Sequence, residues 1–183
     1  NGQRPVILMP NPFYQVYMLA SISSGADPIF VDATAETNYL PDYASQPVEI
    51  LDRTVAVYIC SPANPQGAVA DRAYWTELLT LAEKHDFRIF ADECYSEIYR
   101  DTPPTGALEV AAEMGADPER VVAFHSLSKR SNLPGLRSGF VTGGPKTMNE
   151  IRQLRTYAGT PLPLPLQMAA AAVWNDEEHV VEN

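Results

Sequence analysis

The sequence predicts an α/β fold, a three-layer, doubly wound and mostly parallel sheet with helices on both faces. Three observations support this fold class. Short apolar, β-rich runs alternate along the chain with longer segments of helical spacing. The apolar runs end at glycine, proline or small polar residues, as buried parallel strands do. Hydrophobic residues make up 45% of the 183 residues, which is enough for one domain with a substantial core.

The first third of the chain is predicted to contain three strands, a helix and a polar loop. The strands are predicted at Val6–Met9, Pro28–Val31 and Thr54–Cys60. Residues 13–24 have helical spacing and precede Gly25, which is a typical helix stop. Residues 34–47 are polar and marked by proline, which favours a loop, and a short helix can follow near residues 48–51.

Beyond residue 60, predicted helices and strands alternate more regularly. Asp71 is a candidate cap for a helix over Arg72–His85, and a second helix, Ala107–Met114, stops at Gly115. The strands are predicted at Arg88–Ala91, Val121–Phe124 and Gly139–Thr142. The last predicted elements are a helix over 145–157, a Pro/Leu connector over 161–165, a helix over 166–174 and a charged helical tail whose acidic run, 176–178, is a solvated face.

Charge and cysteine content argue against several kinds of partner. A formal net charge of −10 disfavours nucleic acid or an anionic membrane, because their phosphates would be repelled. Cys60 and Cys94 have no motif spacing, which predicts buried thiols in a reduced, cytoplasmic protein. We interpret His85, His125 and His179 as structural or solvated, since they lack metal-ligand spacing. No apolar run is long enough to span a bilayer, and no signal peptide opens the chain.

A lysine follows the strand predicted at 121–124. Lys129 lies there with Ser126, Ser128 and Arg137, at the kind of strand end where open α/β sheets bind ligands. A lysine just past a buried strand can lose part of its solvation, which favours the neutral amine that attacks a carbonyl. The serines, the arginine and the loop amides suit a phosphate. An amine beside a phosphate site predicts pyridoxal phosphate.

Two other predicted strands deliver polar side chains at their carboxyl ends. Asn64 follows the strand that ends at Cys60, and Asp92 and Tyr95 follow the next one. A carboxylate against the pyridine nitrogen of the cofactor keeps that nitrogen protonated, so the ring can accept electrons. Asn64 and Tyr95 could bond the phenolic oxygen of the ring, and Tyr14 could stack on its face.

Each of these residues also has a structural interpretation. Asp92 alone could be a helix cap, and Asn64 alone is more typical of a turn. Tyr14 could be a core residue, as we predict Tyr17 to be. Arg137 could pair with a surface carboxylate. The cofactor hypothesis depends on these groups occurring together.

Three motifs in this chain resemble those of the fold-type I, pyridoxal-phosphate-dependent aminotransferases of class I/II. They are SLSKRSNLPGLRSGF at residues 126–140, SPANPQG at residues 61–67 and ADECY at residues 91–95. The resemblance covers nearly the whole chain and places it in the central part of the large domain of that family. Gln66 departs from the family, which usually has threonine there, at a position outside the chemistry.

The resemblance implies a role for each candidate residue. Lys129 would be the Schiff-base lysine, and Asp92 and Tyr95 would complete the catalytic set. The residues implied around the cofactor are Lys129, Asp92 at the pyridine nitrogen, Tyr95 and Asn64 at the phenolic oxygen, Tyr14 on the ring face, and Ser126, Ser128 and Arg137 at the phosphate.

The implied activity is transfer of an amino group between an amino acid and 2-oxoglutarate. The sequence NPFYQVY and the sequence of the Lys129 motif resemble those of the succinyldiaminopimelate aminotransferases of lysine biosynthesis. This resemblance makes N-succinyl-diaminopimelate a candidate substrate. A lyase or decarboxylase on the same scaffold and a non-catalytic regulatory domain that binds the cofactor remain alternatives. The family also implies a homodimer.

The chain is expected to be a piece of a longer protein. It has no initiator methionine, and its charged tail has no stop signal. We assign residues 1–160 to a partial cofactor-binding large domain. Residues 161–183 would be a connector and the start of a helix that leads to an absent small domain. Alone, this segment is expected to show little turnover.

Overall fold

A computed structural model describes residues 2–159 and 161–182 and contains one six-stranded sheet. The strands are β1 (Val6–Asn11), β2 (Asp27–Asp32), β3 (Thr54–Cys60), β4 (Arg88–Asp92), β5 (Val121–Ser126) and β6 (Gly139–Gly143). Their order in the sheet is β2-β1-β3-β4-β5-β6. The first five strands are parallel, and β6 runs antiparallel to β5. The predicted α/β fold with a mostly parallel sheet is confirmed.

Eight helices surround the sheet in the described part of the chain. They are α1 (Gln15–Ser23), α2 (Val48–Leu51), α3 (Arg72–His85), α4 (Ala107–Met114), α5 (Leu127–Arg130), α6 (Pro145–Tyr157), α7 (Leu164–Trp174) and α8 (Glu178–Glu182). Three short 3₁₀ turns lie at Ala35–Thr37, Tyr43–Ser45 and Pro134–Leu136. Across residues 2–159 and 161–182, no helix has the length and apolarity needed to span a bilayer. Asn1, Thr160 and Asn183, which the predicted domain ranges include, lie outside the described residues.

Two strands extend two residues beyond their predicted ends because their neighbours continue to pair with them. β1 runs past Met9 to Asn11, which is paired with Asp32 of β2. β5 runs past Phe124 to Ser126, which is paired with Gly139 of β6. The pairing brings the ends of both strands to the edge of the sheet where site residues were predicted.

The segment after β5 is a helical turn where a loop was predicted. The hydroxyl of Ser126 accepts the backbone N–H of Ser128 at 3.1 Å and so caps the first turn of α5. Lys129 therefore lies on a short helix. Similarly, α7 begins at Leu164, inside the predicted connector. Pro165 is tolerated in its first turn, where no N–H is needed for an intrahelical bond.

Apolar clusters cover both faces of the sheet. On one face α3 and α4 pack on the strands, and the fully buried large side chains there are Val6, Leu8, Val57, Ile59, Trp75, Leu79, Phe87, Ile89, Val110 and Val121. On the other face α1 contributes to a smaller cluster of Ile7, Met9, Tyr17, Ala26 and Ala56. The loops at the carboxyl ends of the strands therefore project from a base that is packed on both sides.

The cap of α3 gives a first test of the fold. The carboxylate of Asp71 accepts the backbone N–H of Tyr74 at 2.8 Å. Asp71→Ala leaves that N–H without its partner and is expected to lower the free energy of unfolding by about 1 kcal/mol in urea titrations. Asp71→Asn keeps an acceptor and should cost much less. Equal losses in the two variants would contradict the capping role.

Candidate functional site

The predicted site residues lie at one edge of the sheet. Because β3, β4 and β5 are parallel neighbours, their carboxyl ends meet there: Cys60 is paired with Asp92, and Asp92 with Phe124. Asn64 follows β3, Asp92 ends β4, and the turn that carries Lys129 follows β5. Three segments that are far apart in the chain thus converge on this edge.

Both carboxylate oxygens of Asp92 accept hydrogen bonds. The Tyr17 hydroxyl donates to Oδ2 at 2.5 Å, and the backbone N–H of Cys94 donates to Oδ1 at 3.2 Å. Tyr17 is buried on α1, and its ring is stacked on Tyr58 with the centroids 4.3 Å apart. Burial, and then the nearby Asp92 charge, raise the pKa of the Tyr17 phenol far above its usual range. Tyr17 therefore stays protonated and holds the Asp92 carboxylate in place.

Tyr17 was predicted only as a core residue. It is buried, as that prediction requires, but its hydroxyl reaches a residue 75 positions away in the chain. The sequence offers one weak signal, which is the spacing of three between Tyr14 and Tyr17 at the start of a helix. That spacing places both rings on one side of α1, where they meet edge to face with centroids 5.8 Å apart.

The hydrogen bond between Tyr17 and Asp92 can be tested in the chain without any ligand. Tyr17→Phe removes the donor and leaves Oδ2 of Asp92 without this bond. We expect the free energy of unfolding to fall by about 1–3 kcal/mol. Tyr14→Phe is the matched control, because Tyr14 is 60% exposed and its hydroxyl has no described hydrogen bond. Urea titrations that show the same change for both variants would contradict the assignment.

Asn64, Tyr95 and Lys129 form a second group at the carboxyl ends of the same strands. The side-chain amide of Asn64 donates to the Tyr95 hydroxyl at 3.0 Å, and the Lys129 ammonium lies 5.6 Å from the centroid of the Tyr95 ring. Lys129 is exposed, so the predicted loss of its solvation is wrong for this structure. The amine is accessible to a ligand and stands next to an amide and a phenol that could bond the same molecule.

The predicted phosphate residues are only partly brought together. The Ser126 and Ser128 hydroxyls are 3.0 Å apart. Arg137 follows in a left-handed conformation with φ of 55°, and its guanidinium donates to the carbonyl of Pro134 at 2.8 Å. The exposed Arg137 side chain thus points to its own turn, while the two serines form a pair at the start of α5.

Tyr14 and the two cysteines complete the surroundings of Asp92. Tyr14 precedes α1 and is exposed, so its ring is free to contact a ligand. Cys60 and Cys94 are free and half-buried, and not fully buried as predicted. Burial, followed by the Asp92 charge, raises the pKa of Cys60 to about 12 and raises that of Cys94 as well. Both thiols therefore stay neutral near physiological pH.

The chemistry of these donors fits pyridoxal phosphate. A carboxylate with fixed geometry matches the pyridine nitrogen, and the pair of Asn64 and Tyr95 matches the phenolic oxygen. The accessible amine of Lys129 matches the aldehyde, and the hydroxyl pair at the start of α5 matches the phosphate. All of these groups lie at the carboxyl ends of β3, β4 and β5 or in the turns that follow them.

Comparison with known proteins identifies the same kind of molecule. The family model for aminotransferase class I and II matches residues 2–183. An LL-diaminopimelate aminotransferase of Dehalococcoides mccartyi is 34% identical over 179 residues, which are 96% of this chain and 45% of the relative.

Solved structures give the same result for the fold. An aminotransferase from Neisseria meningitidis matches with 44% identity and a TM-score of 0.93 over 99% of this chain and 46% of that one. A probable N-succinyldiaminopimelate aminotransferase from Thermus thermophilus matches with 26% identity and a TM-score of 0.85, over 97% of this chain and 48% of that one. The chain spans about half the length of the relatives that it matches.

Proposed function

We propose that this chain forms the main cofactor-binding part of an enzyme that exchanges amino groups between an amino acid and 2-oxoglutarate. The chain belongs to the class I and II aminotransferases, which depend on pyridoxal phosphate. The observation that supports the proposal best is the convergence of Asp92, Tyr95 and Lys129 from two neighbouring strands on one edge of the sheet. The aminotransferase names of the relatives favour this reaction over the lyase and regulatory alternatives.

Each residue has a role that follows from its chemistry. When bound, pyridoxal phosphate supplies an aldehyde that takes up amines and a ring that withdraws electrons from the substrate α-carbon. Lys129 would anchor that aldehyde and then, as a free amine, move the proton at the substrate α-carbon. Asp92 would hold the proton on the pyridine nitrogen, and its own position is held by Tyr17. Asn64 and Tyr95 would donate to the phenolic oxygen.

The remaining roles concern binding. The Ser126 and Ser128 hydroxyls would donate to the phosphate, and Arg137 would join them by exchanging the Pro134 carbonyl for a phosphate oxygen. Tyr14 would cover one face of the ring with its exposed side chain. The homodimer and the cytoplasmic location expected from the sequence remain predictions.

The proposed amino donor is a diaminopimelate derivative from lysine biosynthesis, with N-succinyl-diaminopimelate as the first candidate. Two relatives support this class of substrate by name, one for LL-diaminopimelate and one for the N-succinyl compound. Both compounds have an amino acid group at the end of an aliphatic chain, so they differ for the enzyme mainly in what the distant end carries. A donor panel must therefore include both of them.

Capture of the cofactor tests the first half of the proposal. The 183-residue chain is mixed with pyridoxal phosphate, and a visible absorbance band should form that borohydride removes. Mass spectrometry of the reduced protein should place the added mass on Lys129, with Lys146→Ala as the lysine control that changes nothing. A reduced adduct on another lysine would contradict the assignment.

Turnover tests the second half. The relatives extend well beyond this chain, so donors are screened in a chimera in which residues 2–182 replace the matching half of the Neisseria meningitidis aminotransferase. Transfer to 2-oxoglutarate should occur with a diaminopimelate donor. A chimera that binds the cofactor but transfers no amino group from any donor in the panel would overturn the proposed reaction.

A further inference from the structure

Two titratable side chains lie one residue away from site residues and have no role in the mechanism above. Glu93 follows Asp92, and His125 precedes Ser126. Oε2 of Glu93 lies 3.4 Å from Nε2 of His125. Glu93 is only 8% exposed, and His125 is half-buried, so this contact is largely removed from water. The two residues connect the end of β4 to the end of β5.

The rest of the Glu93 carboxylate is also engaged. Its Oε1 accepts a hydrogen bond from the backbone N–H of Ala107, the first residue of α4, at 2.8 Å. A negative charge at the start of a helix is favourable. The backbone N–H of Glu93 donates to the carbonyl of Phe124 in β5 at 3.0 Å. Glu93 is thus fixed by α4 on one side and by β5 on the other.

The opposite side of His125 leads back to Lys129. The imidazole is stacked on Phe140 with centroids 4.8 Å apart, and Phe140 packs against Trp174 at 4.8 Å. The guanidinium of Arg130, next to Lys129, lies 5.1 Å from the centroid of the Trp174 ring. These contacts surround a cavity of about 440 Å³. A continuous set of contacts therefore joins the residue after Asp92 to the residue after Lys129.

Arg130 is itself held firmly. It is buried and donates to the Val173 carbonyl at 3.2 Å and to the Glu177 carboxylate at 2.6 Å. Glu177, within the acidic run predicted as a solvated face, is exposed as predicted and also pairs with Arg130. The α7 end of the contact set is anchored, so a change at His125 acts on the strand ends and not on a loose helix.

We propose that Glu93 and His125 form a positioning pair, which rests on the proposed function: the 3.4 Å contact between the His125 imidazole and the Glu93 side chain fixes the spacing at which Asp92 and Lys129 reach one cofactor. Neither residue touches the cofactor in this role. The pair acts because Asp92 and Glu93 are adjacent on one strand end, while His125, Ser126 and Lys129 share the next.

The charge states of the pair support this proposal. Burial lowers the pKa of His125, against the opposing effect of Asp92, and burial raises the pKa of Glu93, against the hydrogen bond from Ala107. Burial therefore favours the neutral imidazole, whose 3.4 Å contact with Glu93 is longer than a typical hydrogen bond. The ring of Phe140 also faces His125, and Trp174 lines the same cavity with the charged Glu97, Arg130 and Glu177.

The pH dependence has a defined sign. As the pH falls, Glu93 takes up its proton above pH 4.5, its ordinary pKa, because its pKa in the folded chain is raised. Once Glu93 is protonated, its contact with His125 no longer includes a carboxylate, whichever form the imidazole has, and the contact weakens. The affinity of the wild-type chain for pyridoxal phosphate should therefore fall severalfold as the pH falls through the raised pKa of Glu93.

Three variants test the pair by equilibrium titration of the 183-residue chain with pyridoxal phosphate. Glu93→Gln keeps an acceptor for Ala107 but removes the charge, and His125→Phe keeps a ring on Phe140 but removes the imidazole nitrogen that contacts Glu93. Each should weaken binding about tenfold at neutral pH and flatten the pH profile. The double variant should bind about as weakly as either single variant, because one interaction is lost in all three.

A control separates positioning from general stability. Phe140→Leu removes the stacking partner of His125 and touches no charged group, so it should lower the urea midpoint but keep the shape of the pH profile. The proposal is overturned if Glu93→Gln weakens binding while His125→Phe does not, or if the two effects add. Should the wild-type chain capture no cofactor at any pH, the proposed function itself fails, which is a distinct result.

Discussion

Replacing Lys129 by alanine is expected to abolish the visible band of the cofactor-loaded chain and to lower amino transfer in the chimera by about 10²–10⁴-fold or more. The physical reason is that one amine would both anchor the cofactor and move the proton at the substrate α-carbon. The cost in stability should be small. Lys129 is exposed, and its described contact is the Tyr95 ring at 5.6 Å, which contributes about 0.5–1 kcal/mol at such a site.

The combination of lost chemistry and retained fold distinguishes this prediction from simple destabilisation. Urea midpoints of Lys129→Ala and of the wild-type chain should nearly coincide. Lys146→Ala serves as the control, because Lys146 is an exposed lysine at the start of α6. A visible band that survives in Lys129→Ala and still disappears with borohydride would show that another amine is the anchor.

The second large effect is expected for Asp92→Asn. The amide keeps an oxygen that can accept from Tyr17 or Cys94, but it cannot hold a proton on the pyridine nitrogen by its charge. Amino transfer in the chimera should fall by about 10²–10³-fold, the scale found when a group that stabilises developing charge is removed. Tyr17→Phe should give a smaller loss, because it perturbs only the position of Asp92.

Asp92→Asn also has a readout that needs no cofactor. The carboxylate helps to raise the pKa of Cys60 to about 12, second to burial, and acts on Cys94 in the same direction. Removing the charge should lower both pKa values and speed alkylation of the thiols at alkaline pH. Asp71→Asn, the same substitution at the α3 cap, is the control. Unchanged alkylation in Asp92→Asn would contradict the described geometry around the carboxylate.

The strongest local patterns predicted the fold best. The bounds of β3, α3 and α4 agree with their predictions, because each element has clear periodicity. Asp71 marks the start of α3, and Gly115 marks the end of α4. The helical turn at Lys129 was not predicted, since four residues are too few to show a period. Its start depends on a single side-chain bond from Ser126.

The site was predictable in its membership and not in its contacts. Parallel strands bring their carboxyl ends together, so the order of motifs along the chain was enough to place Asn64, Asp92 and Lys129 at one edge. The bond from Tyr17 to Asp92 and the contact of Glu93 with His125 depend on how side chains pack across distant elements. Periodicity along the sequence holds no information about such pairs.

The order of the strands affects where the sheet opens by local unfolding. β3, β4 and β5 each have a hydrogen-bonded neighbour on both sides, whereas β2 and β6 are the two edge strands of the sheet. Local unfolding begins at edge strands and terminal helices, and the backbone amides of interior strands exchange their hydrogens last. Asp92, at the end of the interior strand β4, is therefore expected to be attached to slowly exchanging backbone, whereas Arg137 lies next to the edge strand β6.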